Sequence, residues 1–296
     1  MNTIHIVQNE LKQLRKLLVE DNCYSAAKAW NLVQVALVVF VSAGLALTAT
    51  ICERWSVRAA IYGLAVSLLD FYLLEPQIAK LKVRAASVRE CFDLDVLSLT
   101  PSPFRSADIT PEDVRAIPNP MPDARKKNKI DWYPVVVKDI SVEPARLICQ
   151  RSSMQYDERL RKSFSYLWIG LVVVFVAAWL GWLAKSNPDF YHIALVTSAI
   201  LPAFLFCVKQ NQLNNEACAK ISVMRAFFDA IWKELLANNT PPYKLTEDSR
   251  QIQSELFDHR SQRPLVPNFY YRLKRNQNER IMNEVAEDYV EEYKLA

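Results

Sequence analysis

The chain reads as an all-α membrane protein. It has four transmembrane helices in two hairpins, N and C termini in the cytoplasm, and a mostly helical cytoplasmic domain formed by the middle region and the C-terminal tail. Three observations predict this. Four apolar segments are at or near spanning length. Of the 36 Lys and Arg residues, 33 lie in the N-terminal tail, the middle region or the C-terminal tail, and only three in the two short links. All four glycines, Gly44, Gly63, Gly170 and Gly181, fall inside the spans, so the polar part holds none of the glycine turns that phosphate-binding loops require.

The N-terminal tail, residues 1–28, places Ile4, Val7, Leu11, Leu14 and Leu18 at helical spacing, an amphipathic cytoplasmic helix. Residues 1–21 carry charges throughout and are unlike a signal peptide. The first hairpin covers 29–75. Residues 29–52 run 24 positions without a charge, roughly 36 Å of helix and more than the hydrocarbon core. The second span, 57–75, has an apolar stretch of only 16 residues (59–74) that carries Asp70. It is assigned as a span because the first one has no other partner for the return. Next comes a cytoplasmic helical region, 76–162, which begins as a continuation of the second span. Its Pro-rich loop, 101–144, holds eight of the 15 prolines and the basic run 125–129. Tyr133 to Val137 is expected as a short strand, and Pro144 suits the first turn of the next helix. The second hairpin, 163–208, has spans at 163–184 and 189–208, with 22 and 19 uncharged residues (163–184 and 190–208). The C-terminal region, 209–296, extends the fourth span to about residue 237 and then predicts helices at 246–259, 268–274 and 277–293.

Basic residues are retained on the cytoplasmic face, so both tails and the middle region face inward and the short links face outward. Trp30, Tyr72, Tyr166 and Trp168 at inner ends, with Trp55, Trp179, Trp182 and Tyr191 at outer ends, form the two interfacial belts. A mean hydropathy near zero beside 51% apolar residues averages a membrane part with a polar part. A net charge of +4 is too small to indicate DNA or RNA binding. Six scattered cysteines and three distant histidines leave little for a disulfide frame, a metal or a Ser/His triad. The sequon at 238–240 falls on the inner side and is expected to stay unglycosylated.

Several stretches, in order, resemble one family. They are Gln8-Asn9; Tyr24-Ser25-Ala26-Ala27-Lys28; Cys91-Phe92-Asp93-Leu94-Asp95-Val96-Leu97; Trp132-Tyr133-Pro134; Ala145-Arg146-Leu147-Ile148-Cys149-Gln150-Arg151-Ser152; Arg250-Gln251-Ile252-Gln253; and Val266-Pro267-Asn268-Phe269-Tyr270-Tyr271-Arg272. Together with the two-plus-two spans they resemble the SMODS-associated 4TM pore-forming effectors; a departure is Ala29-Trp30, where a basic or polar residue is expected. The resemblance implies an anti-phage effector of cyclic-oligonucleotide signalling (CBASS) in the bacterial inner membrane. On that implication a neighbouring nucleotidyltransferase, without required direct contact, supplies a cyclic di- or trinucleotide. The effector binds it, oligomerises or rearranges, and permeabilises the membrane to cause abortive infection. No enzyme activity and no cofactor beyond the activating ligand are implied.

Candidate residues follow from what such a ligand needs: convergent donors for phosphates and flat surfaces for bases. Arg146, Arg151, Gln155, Arg159 and Lys162 precede the third span, the last four on one helix face. Juxtamembrane basics also answer anionic lipid headgroups. Arg250, Gln253, Phe257 and Arg260 form another stripe, near Tyr270, Tyr271, Arg272 and Arg275 in sequence; ion pairing and ring packing are the alternative use. Asp70 and Ser67, one turn apart, and Pro202 are the pore or gating candidates. Asp70 reaching the interface, or paired with Lys80 or Arg84 of a neighbour, is the structural alternative. A constitutive or differently gated channel or transporter, a membrane scaffold, or a hydrolase built on Asp93 with Asp95 or the 284–292 glutamates remain competing readings.

Overall fold

The computed structural model describes residues 2–102, 112, 128–186, 188–237 and 240–296. Most of the Pro-rich loop, most of the basic run 125–129 and the sequon asparagine lie outside the described residues. Among the described residues the helices with stated bounds are, in order, α1 Ile4–Val7, α2 Leu11–Ile51, α3 Glu53–Leu97, α4 Val142–Ser186, α5 Phe190–Leu236, α6 Pro242–Gln262 and α7 Asn268–Leu295. A 3-10 turn, Val135–Asp139, precedes α4. Four of the helices, α2 to α5, are long and apolar enough to cross a membrane.

Where the sequence predicts a strand at 133–137, the chain turns instead. A lone extended segment has no neighbouring edge to pair with, since no strand occurs among the described residues. Val137 is buried in the helical core, and Asn2 Nδ2 donates to Val137 O at 2.6 Å and to Ile140 O at 2.9 Å, satisfying carbonyls a sheet would otherwise take. The predicted pair of helices at 268–274 and 277–293 is one helix, α7, because Arg275, Asn276 and Gln277 include no breaker. The N-terminal helix, by contrast, is interrupted after Val7 before α2 begins at Leu11.

The chain divides into two compact units. One consists of Ala26–Lys80 and Lys162–Glu216 and contains the apolar stretches of α2 to α5. Its buried seam is made of small residues: Ala46, Ala49 and Ala59 meet Val196 and Ala199. Small side chains let helix backbones approach where no hydrophobic driving force separates helix from lipid. At Gly63 the approach is close enough that an added Cβ would lie 2.7 Å from Ser198 O. Outward, Leu32, Phe40, Leu47, Ile61, Leu64, Phe71, Val173 and Val174 are exposed, an apolar surface that suits lipid and not water.

Two stretches of this unit are π-helical, Ala36–Val41 in α2 and Asp70–Leu74 in α3. Between them Gln34 Nε2 donates to Asp70 Oδ1 at 2.6 Å, and the Tyr62 hydroxyl donates to Leu37 O at 2.9 Å. Lys209 pairs with Glu75 at 2.6 Å.

The other unit consists of Met1–Ser25, Leu81–Arg161 and Ala217–Ala296. Its core joins Phe92, Val96 and Leu97 of α3, Leu147 and Ile148 of α4, Ile221 and Phe228 of α5, Ile252 and Leu256 of α6, and Ala286 and Val290 of α7. Helices α2 to α5 each contribute residues to both units without a break between.

Candidate functional site

The polar centre of the second unit is built on two buried carboxylates. Asp93, on the core face of α3 with Arg89 one turn before it, accepts from four donors. These are Arg89 Nε at 2.8 Å, the Tyr133 hydroxyl at 2.7 Å, Gln253 Nε2 at 2.9 Å and Arg260 Nη1 at 2.5 Å. Burial alone would push this carboxyl up, but Arg260 and Arg89 hold it down to about 2. The same burial beside Asp93 raises the Tyr133 phenol, which keeps its proton and donates it. Glu90, one turn from Asp93, takes Arg250 Nη2 and Gln253 Nε2, both at 2.8 Å. The Arg89 guanidinium lies over the Trp132 ring at 4.4 Å.

Asp157 on α4 is the second centre. It accepts from Arg161 Nε at 2.7 Å and Arg263 Nη1 at 2.6 Å, and meets His259 Nε2 at 2.6 Å. Burial pushes Asp157 up, yet Arg161 and Arg263 outweigh it and hold the carboxyl well below its ordinary range. Burial depresses His259 more than Asp157 raises it, so the ring is neutral at pH 7 and donates Nε2–H to Asp157. Asp93 and Asp157 thus tie α6 to α3 and α4. Both charges are matched by cations, which is the condition under which buried ions are tolerated.

These contacts decide where the sequence-predicted residues stand. Arg250, Gln253 and Arg260 do come together, on one side of α6, and they direct donors at Glu90 and Asp93. Arg146 is drawn to the end of α3: Nε donates to Leu97 O at 2.5 Å, Nη2 to Ser98 O at 3.1 Å and Nη1 to Thr246 Oγ1 at 3.0 Å. Ser98 has φ of 51°, the left-handed conformation that closes a helix, and Arg146 takes the carbonyls left over there.

The stripe Arg151, Gln155, Arg159 passes from inside to outside along α4: Arg151 is buried, Gln155 half-buried, and Arg159 and Lys162 exposed. Arg151 lies over the Phe228 ring at 5.7 Å. Tyr271 faces Tyr156 with ring centroids 5.8 Å apart, Arg275 pairs with Glu279 at 2.6 Å, and Arg272 is exposed. In the other unit, Ser67 donates to Gly63 O at 2.8 Å, within its own helix, and Asp70 accepts from Gln34 of the same chain. Pro202 does not break α5.

Sequence reasoning missed the two carboxylate centres. The signal was present for Asp93: Arg89 at i−4 and Val96 and Leu97 at i+3 and i+4 put a charge pair inside an apolar stripe. Asp157 with Arg161 at i+4 is the same device. A hydrolytic pairing of Asp93 with Asp95 does not form, since Asp95 lies on the other side of α3 with Gln13 at 2.8 Å and Lys16 at 2.7 Å.

Compared with known families, residues 2–289 match the model described as SMODS-associating 4TM effector domain. No curated protein and no solved structure matches the chain.

Proposed function

This chain belongs to the SMODS-associating 4TM effector family, and from that membership we propose a ligand-gated effector that permeabilises the bacterial inner membrane. In this reading the spans form two hairpins with both termini cytoplasmic. The helical unit receives a cyclic di- or trinucleotide made by a neighbouring SMODS nucleotidyltransferase. Binding changes how subunits associate or how their spans are arranged, and the bilayer becomes permeable. Infected cells stop before the phage is released. The protein itself performs no chemistry on the ligand.

One observation carries the reading. Helices α2, α3, α4 and α5 each run without interruption from residues of the helical unit to residues of the membrane-spanning unit. A ligand that favours one arrangement of the helical unit therefore acts on four spans through backbone and not through a loop, which is the differential contact a population shift needs. Four helices enclose little lumen, so a conducting pore takes several subunits. Of the residues expected to meet the ligand, Arg151 keeps two buried N–H groups unmatched and Arg272 is exposed. Arg146, Gln253 and Arg260 hold the unit together through their internal partners, and Arg250 does so through Nη2 while its buried Nη1 stays unmatched.

The test is dye release from proteoliposomes of the full chain, with and without a panel of cyclic di- and trinucleotides. Release that one of them triggers, and that linear nucleotides do not, is expected. Release at the same rate without any nucleotide would point to a constitutive channel. No binding of any panel member by calorimetry would sink the reading.

A further inference from the structure

We propose that the seam between α4, α5 and α7 is a binding site for a phosphate oxyanion, held by Arg151, Arg225 and Asn278. It rests on the reading of the helical unit as the ligand receiver only for the source of the anion, a phosphodiester of the activating nucleotide. The site itself is argued from what the seam lacks.

Three helices meet there. Arg151 of α4 lies over Phe228 of α5, Arg225 of α5 pairs with Glu158 of α4, and Phe228 packs edge-on against Tyr289 of α7 at 5.3 Å. Tyr156 of α4 meets Tyr271 of α7. Asn278 is seven residues after Tyr271 and eleven before Tyr289. Those separations are close to whole turns at about 3.6 residues each, so Asn278 shares the face of α7 that touches both other helices.

Among the described residues, Arg151, Arg225 and Asn278 hold four buried polar atoms without a hydrogen-bond partner, Arg151 Nε and Nη1, Arg225 Nε and Asn278 Nδ2, and the Tyr156 hydroxyl is a fifth. Arg151 is 6% exposed and Asn278 5%. The four nitrogens are donors only, and the hydroxyl can donate as well. The carboxylate of the seam, Glu158, is already engaged by Arg225, so Arg151 is left as a buried cation. Phe228 offers its ring face to that cation but accepts none of its N–H groups. Buried donors without acceptors are rare, and a cluster of them with an unmatched charge defines its missing partner as an anion. Arg151 Nε–H and Nη1–H leave opposite edges of the guanidinium and call for acceptors on both; carboxylates and phosphates are the oxyanions that arginine takes, and a phosphodiester of the activating nucleotide is the one that the proposed function supplies. Phe228 and the tyrosines provide flat surfaces on which an attached base can stack.

Inorganic phosphate, a nucleotide phosphodiester and a lipid headgroup share this chemistry, and the test separates them. The full chain in lipid-free detergent is followed by thermal unfolding with inorganic phosphate, pyrophosphate and the cyclic nucleotide panel, against chloride at equal ionic strength. Phosphatidylglycerol and phosphatidylcholine nanodiscs form a second arm. Stabilisation by soluble phosphate species is expected. Arg151→Met, which keeps an unbranched chain on Phe228, is expected to abolish the shift while unfolding no earlier than wild type without anion. Asn278→Leu and Arg151→Lys, which retain the fold and, in the second, the charge, are expected to weaken binding about tenfold, the value of one hydrogen bond to a charged group. An undiminished shift in Arg151→Met, no shift in wild type with any soluble anion, or a shift confined to phosphatidylglycerol overturns the site. If phosphate and pyrophosphate act through Arg151 and no cyclic nucleotide does, the site stands and the activating ligand is wrong. If a cyclic nucleotide binds both Arg151→Met and Asn278→Leu as well as wild type, the effector reading stands and the site falls.

Discussion

Asp93 gathers Arg89, Tyr133, Gln253 and Arg260 around a single carboxylate, and its protonation is coupled to folding. An ordinary carboxyl titrates near 4, whereas Asp93 is held at about 2 by Arg260 and Arg89 in spite of burial. The unfolded chain therefore takes up this proton first. The stability that Asp93 contributes is whole above about pH 4 and is lost as the pH falls toward 2, on the order of 2 kcal/mol. Asp93→Asn is expected to flatten that limb of an acid titration of unfolding and to cost about 3–5 kcal/mol at neutral pH, because Arg89 and Arg260 lose their shared partner in the interior. His259 adds an earlier limb. Its depressed folded value means that the unfolded ring, near 6.5, binds a proton first, so stability declines as the pH falls below about 6.5. His259→Gln removes that limb, readable by denaturant unfolding at pH 7 and pH 5. None of this was legible from Asp93 and Asp95 taken as a pair. Two residues apart on a helix point roughly 200° apart, which sends one inward and the other to the surface.

Among the elements, α3 meets α5 closely at Gly63, with Ser198 O in the place of a side chain. Pro202 has no N–H, so the carbonyl four residues before it in α5, that of Ser198, is released from the helix ladder. The backbone of Gly63 lies against that carbonyl, a contact of the Cα–H···O kind found between close helices. A freed carbonyl follows from Pro202 alone; its receiver on another helix does not, since nothing in a single sequence aligns residue 63 with 198. Gly63→Ala places a methyl group against backbone that cannot rotate away, and a loss of about 1–3 kcal/mol is expected, checked by thermal unfolding in detergent. Asp70 belongs to this scale as well. Asp70→Asn keeps the shape of the Gln34 contact and removes the charge; if the opened assembly conducts past this residue, its preference for cations over anions is expected to drop in planar-bilayer reversal potentials. Helix existence was readable from length and charge, as in residues 29–52. Helix ends were read less well, and α7 was divided for want of any packing information.

For the molecule as a whole, the prediction is its orientation. Cys52 is exposed at the end of α2, next to the first short link. With that link outside, a membrane-impermeant maleimide is expected to label Cys52 in intact spheroplasts and to spare Cys91 and Cys218 until the membrane is opened. Labelling of Cys91 or Cys218 in intact spheroplasts would reverse the assignment. The bias of Lys and Arg made the spans and their number legible, because bilayer thickness and basic charge act on sequence directly. The polar interior of the helical unit was not, because its arginines serve carboxylates from distant parts of the chain. One further consequence comes from the wide turns of α2 and α3. A π-helical stretch carries an inserted residue within an α-helix. When such a stretch relaxes to ordinary α-geometry, everything beyond it rotates by about 100° around the helix axis, one residue's worth of phase, with little change in length. One such stretch begins two residues after Gln34 and the other begins at Asp70, the two ends of one hydrogen bond, so in the proposed gating a push on the first two spans is expected to emerge as twist instead of tilt.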